Sequence, residues 1–102
     1  MRVVAVGGPM FVNGFRLAGA EGMVVKSPDE AFQMIKNLMQ QEDVGLVIVS
    51  EDISEKFRDE LNELRAKKPK PLVYELSPPV GQPKKIDYRA LLRSVLGVWH
   101  VF

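Results

Sequence analysis

Cysteine is absent from the chain and histidine occurs once, at position 100. The first absence excludes a disulfide framework, a thiolate metal site and a cysteine nucleophile. The second excludes a multi-histidine metal centre. No apolar run approaches the ~20 residues that a membrane-spanning helix requires. The N-terminus opens a strand at once, without the layout of a signal peptide, so a soluble cytoplasmic protein with no direct membrane insertion is expected. Net charge is nearly absent too, a formal +1 from 14 basic and 13 acidic side chains, which argues against a nucleic-acid partner. What remains is ordinary for one small domain: 102 residues, 46% hydrophobic and 26% charged.

Along the chain, apolar β-branched runs alternate with helical patterns. Val3–Val6 reads as a strand buried on both faces and is ended by Gly7-Gly8-Pro9. Residues 10–18 are expected to form a short helix closed by Gly19, with Phe15 and Leu17 in its core. Met23–Val25 is a second strand. Ser27-Pro28-Asp29-Glu30 starts a helix, with serine as cap, proline in the first turn and Glu30 completing the capping box. Ala31, Phe32, Ile35, Leu38 and Met39 follow at helical spacing. Leu46–Val49 is a third strand. Ser54 is placed as the cap of a helix whose apolar face is Phe57, Leu61 and Leu64, and Leu72–Leu76 is a fourth strand. This alternation predicts an α/β fold: a small doubly wound, four-stranded parallel sheet of order 2-1-3-4, flavodoxin- or receiver-like, flanked by helices.

The alternation breaks after Leu76, which divides the chain into a globular α/β domain over 1–76, a proline-rich linker over 77–86 and a C-terminal amphipathic helix with its tail over 87–102. The linker segment SPPVGQPKK carries three prolines and ends on Lys84 and Lys85. Beyond it Tyr88, Leu91, Leu92, Val95, Leu96 and Trp99 recur at helical spacing, with Arg89 and Arg93 on another side. Two arrangements are open for this helix: packed on the sheet as the last layer of a doubly wound domain, or projecting to meet a partner.

Catalytic motifs fail one after another. Gly14 and Gly19 have the spacing of a phosphate-binding loop, but Ala20 and Glu21 stand where lysine and a hydroxyl are needed, and an acid there repels phosphate. The dinucleotide fingerprint is also missing, because Gly7-Gly8 runs into Pro9-Met10-Phe11. A phosphoacceptor receiver needs carboxylates after its first strand to hold magnesium, and here only Gly7, Gly8 and Pro9 follow Val6. Glu21, Glu51, Asp52 and Glu75 lie near strand ends, where α/β ligands bind, but no nucleophile, base or metal accompanies them, so they read as solvated loop acids. No catalytic residue, metal site or cofactor is assigned.

The run GFRLAG at residues 14–19, one short spacer after the first strand, resembles the signature of the F subunit of V-type and archaeal A-type ATPases. The resemblance continues through GLVIVSEDI at 45–53, PKPLVYELSPPVGQP at 69–83 and the ending RALLRSVLGVWHVF. It implies a non-catalytic part of the central rotor stalk in a rotary ATPase. The small subunit would bind the long D subunit of the stalk. It would reach with its last helix toward the ring of A and B subunits, which carries out the ATP chemistry. It would couple ATP hydrolysis or synthesis to proton or sodium transport from the cytoplasmic side, as a peripheral component.

Residues carrying such contacts are expected among Phe15, Arg16, Arg89, Leu92, Arg93, Leu96 and Trp99. Arg16 would pair with an acid on the stalk or on its own domain, and Trp99 would anchor an interface. A crystal of the isolated chain is a setting in which the last helix can pair with a neighbouring copy. The alternative to a rotor part is a receiver-like or small-ligand-binding signalling domain using the strand ends near Gly7, Glu51 and Ser77.

Overall fold

The structure is a computed structural model. It describes residues 1–68, 70–77 and 87–101, with the side chains of the last helix described as far as Gly97. Strand β1 (Arg2–Gly7) leads through helix α1 (Pro9–Leu17) to β2 (Glu21–Val24), then through α2 (Pro28–Leu38) to β3 (Val44–Ser50). A single turn of helix, α3 (Glu51–Ser54), and a 3-10 turn (Glu55–Phe57) then lead into α4 (Arg58–Lys67) and β4 (Leu72–Leu76). The last element, α5, spans Tyr88–Val101. The four strands are parallel and ordered β2-β1-β3-β4, as the alternation predicts. The proposed linker over 77–86 lies outside the described residues apart from Ser77.

The central strands are apolar on both faces because each face has its own helical layer. Val4 and Val6 of β1, Val47 and Val49 of β3 and Val73 of β4 pack under α2 and α4 with Ile35, Leu38, Phe57 and Leu61. The alternate residues Ala5, Leu46 and Ile48 face the other way, toward Phe11, Val12 and Phe15 of α1 and Val95 of α5. Successive strand side chains point to opposite faces, so one unbroken run such as LVIV serves both layers.

Local signals set the helix ends. Ser27 accepts a hydrogen bond from the Glu30 amide at 3.1 Å and begins α2, with Pro28 in the first turn. Gly19, at φ +106°, ends α1. Its amide donates to the Arg16 carbonyl and the Ala20 amide to that of Phe15, the paired bonds of a Schellman close, which needs a residue free to take positive φ.

Two local expectations are corrected. Leu17 is 81% exposed rather than a core residue, since it lies about 200° around the helix from the buried Phe15. Ser54 does not cap the helix after β3. The helix carrying Leu61 and Leu64 begins at Arg58 with Phe57 in the N-cap position, whereas Ser54 ends the single turn α3 and is fully buried.

Of the two arrangements left open for the last helix, the structure holds the packed one. Tyr88, Leu91, Leu92, Val95 and Leu96 lie against the α1 face of the sheet, in the same cluster as Phe15, Leu72, Tyr74 and Leu76. Arg89, Ala90, Arg93 and Ser94 face outward. Asp87 supports the helix start, its carboxylate accepting from the Ala90 amide at 3.0 Å.

Candidate docking surface

In a doubly wound sheet the default ligand site is the crevice at the carboxyl ends of the strands where the winding reverses, here between β1 and β3. Its floor is Gly7 and Ser50, with the Phe11 ring packed over Gly7. Phe11 lies so close over Gly7 that a Cβ there would stand 2.8 Å from the ring and 3.2 Å from the Ser50 Cβ. Helix α1 follows with Pro9 in its first turn and no acidic residue there. The neighbouring carboxylates are engaged by the chain itself. Ser50 donates to Asp52, and Ser77 donates to Glu51 at 3.1 Å.

Glu75, on β4, gathers the largest share of this end. It accepts from Ser54, from Arg58 at 3.2 Å and from Arg65 at 3.1 Å, while its own side chain is only 14% exposed. Arg65 also donates to the Val73 carbonyl at 2.7 Å. Burial works to raise the Glu75 pKa. The hydrogen bonds from Ser54, Arg58 and Arg65 outweigh it and hold the carboxyl below the ordinary glutamate range. Glu75 is thus an anionic clip between β4 and the α3–α4 segment, not an acid waiting for substrate.

The amino end of the sheet is closed in the same manner. Arg2 donates to Glu21 at 2.8 and 3.0 Å, to Gln41 at 2.7 Å and to Asp43 at 3.2 Å. The hydrogen bond to Glu21, then Asp43, holds the Arg2 guanidinium further protonated than usual, and the same bond lowers the Glu21 pKa. Glu21, which spoils the phosphate-loop pattern in the sequence, therefore has a structural duty: it ties β2 to β1.

Among the described residues no group of three or more acids and histidines is placed to hold a metal ion. No helix there is long and apolar enough to cross a membrane. A surface hollow of about 310 Å³ is an open groove between α2 and α4 bordered by Lys36, Lys67 and Lys68.

The GFRLAG segment is organised around close approach. Gly14 lies under the ring of Tyr88, and a Cβ there would fall 2.2–2.4 Å from three ring carbons. Gly22 plays the same part against α1, where a Cβ would stand 2.4 Å from Val12 Cγ1 and 2.9 Å from Arg16 Nε. That close packing of β2 on α1 brings the Arg16 guanidinium to the Gly22 carbonyl at 2.8 Å and to Asn13 at 3.5 Å.

The residues singled out in the sequence separate into two groups. Phe15, Leu92 and Leu96 face inward beneath or within α5, and Phe15 is fully buried. Arg16, Arg89 and Arg93 are on the surface. Arg16 is held by a backbone carbonyl and Asn13 rather than by an acid. Trp99 belongs to α5, and its side chain is outside the described residues. Sequence reasoning missed the exposed apolar side chains of α1, Leu17 and the 62% exposed Met10. Seven positions apart, they lie on one helix face, a spacing legible in the sequence.

These features define the class: a flavodoxin-like α/β domain whose strand-end carboxylates are engaged by its own side chains and whose last helix covers one sheet face. The family described as ATP synthase (F/14-kDa) subunit matches residues 3–95. The chain belongs to that family. It is 33% identical over 99 residues to the A-type ATP synthase F subunit of Methanothermobacter thermautotrophicus, covering 94% of this chain and 92% of that one. It is 31% identical over 100 residues to the A-type ATP synthase F subunit of Methanocaldococcus jannaschii, covering 96% and 97% of the two chains. The crystal structure of the V-type ATP synthase F subunit from Archaeoglobus fulgidus is similar with a TM-score of 0.64 and 27% identity, covering 74% of this chain and 96% of that one. The chain is therefore a subunit of the V/A-type ATP synthase family, with the four-stranded domain and C-terminal helix expected of it.

Proposed function

We propose that this chain is a non-catalytic subunit of the central rotor stalk of a V/A-type rotary ATPase, on the cytoplasmic side and peripheral to the membrane. The observation that carries the reading is the family match over residues 3–95, which takes in the α/β domain and more than half of α5. The strand ends support it: Phe11 packs over Gly7, and the carboxylates of Asp52, Glu51 and Glu75 are engaged by hydroxyls and arginines of the chain itself. ATP hydrolysis or synthesis then belongs to the ring of A and B subunits, and this chain couples it to ion transport through the stalk.

The division of labour within the chain follows the notional boundaries at 76 and 87. The α/β domain is the rigid part that docks on the D subunit of the stalk, with Met10, Arg16 and Leu17 on the outer side of α1 as contacts. The last helix is the modulating element. Arg89 and Arg93 are available while it is packed, whereas Leu92 and Leu96 meet a partner only when it leaves the sheet. Such an element regulates through the different affinities of partners for its two positions.

The direct test is sedimentation of the purified chain with the purified D subunit. The expected result is a complex of one copy of each, weakened by Leu17→Asp without loss of the fold. Two independently sedimenting species would refute the docking assignment.

A further inference from the structure

A glycine inside a helix costs roughly 0.5–1 kcal/mol relative to alanine. Gly14 occupies the sixth position of the nine-residue α1, so its presence needs a local cause. The cause is Tyr88, the first residue of α5, whose ring carbons Cε1, Cζ and Cδ1 lie 2.2–2.4 Å from where a Gly14 Cβ would stand. The same ring meets Phe15 edge-on, with centroids 5.4 Å apart and planes at 83°, a favoured aromatic geometry. Asp87 holds the backbone of this first turn by accepting from the Ala90 amide. The start of α5 is thus keyed into α1 at one notch, while the rest of the helix lies on the sheet through Leu91, Leu92, Val95 and Leu96.

We infer that Tyr88 in the Gly14 notch is the latch that sets the balance between the packed and released positions of α5. The inference rests on the reading of α5 as the modulating element and adds the contact that controls it. A methyl group on Gly14 would overlap the Tyr88 ring at 2.2–2.4 Å, so a side chain at position 14 must displace the ring or lift the first turn of α5. Because alanine is a better helix former than glycine, Gly14→Ala strengthens α1 itself, and the damage falls on the α1–α5 contact. Release is not free in the isolated chain, since it uncovers Phe15, Leu72 and Tyr74. A partner that captures the helix must offset that exposure, and the latch sets how much it must supply.

The test is hydrogen exchange on the full-length chain, comparing amides 92–96 of α5 with amides 46–49 of β3. For Gly14→Ala the expected result is exchange in α5 about 10-fold faster, corresponding to about 1.4 kcal/mol, with β3 unchanged. Tyr88→Ala should loosen α5 similarly, and Tyr88→Phe, which keeps the ring, should exchange as the native chain does. In the Gly14→Ala/Tyr88→Ala double variant the glycine change should add no further acceleration, because no ring remains to be expelled. Native-like α5 exchange in Gly14→Ala would overturn the latch, as would the same acceleration by Gly14→Ala with Tyr88 already removed. If Gly14→Ala fails to fold, the two Tyr88 variants decide: Ala and Phe behaving alike overturns it. These rates are read on the chain alone, so a failed latch leaves the stalk assignment standing, and failed binding to the D subunit leaves the latch standing.

Discussion

Replacing Phe15 with alanine is expected to destabilise the isolated protein by about 3–5 kcal/mol, while the same change at Leu17, two residues on, should move stability by no more than about 0.5 kcal/mol. Phe15 is fully buried. Its ring lies 5.1 Å from that of Phe11 and 5.4 Å from that of Tyr88. Truncating it removes the contact shared by α1, α5 and the sheet, in a domain whose total stability is of the order of 5–15 kcal/mol. Leu17 is 81% exposed and belongs to neither buried cluster among the described residues. Urea denaturation distinguishes the two: a sharply lower midpoint for Phe15→Ala and a native one for Leu17→Ala. Binding to the D subunit should respond in the opposite order once the fold is controlled for. Equal stability losses would mean that α1 is rotated from the orientation described.

The second large effect is expected in the assembled machine. Removing residues 87–102 from the chain in a reconstituted ATPase should leave assembly intact, because the docking surface proposed for the D subunit lies on α1. The hydrolysis rate should rise by about 5-fold or more, the lower end of typical coupling between sites. The direction follows from the proposed stalk role: if α5 touches the surrounding ring, that contact has to break as the stalk turns, so its loss lowers a barrier. Assembly and rate both unchanged would remove the modulating role of α5.

Much of the architecture is legible in the residues, and the exceptions share a physical cause. Strand order, the Ser27 start of α2 and the Gly19 end of α1 follow from local rules: periodicity, capping and positive φ. Three features depend instead on what another part of the chain brings to the same place. Leu17 reads as core by composition, yet the short α1 has room for only one inward face, and Phe11, Val12 and Phe15 occupy it. Ser54 has the chemistry of a cap, yet α4 starts only at Arg58, and the hydroxyl serves Glu75 on β4 instead. Gly14 has no local explanation at all, and its reason lies 74 positions along the chain in Tyr88. On the proposed docking surface, Arg16 is recognisable as an exposed charge, but its carbonyl partner depends on Gly22 letting β2 approach.

On the role proposed above this chain works inside a rotary ATPase rather than alone, and affinity purification from its native cell decides between the two. A tagged chain expressed at its natural level should bring down the A, B and D subunits in constant proportion, together with ATPase activity. A tagged chain recovered as a lone monomer, with those subunits present in the same extract but absent from the eluate, would contradict the account.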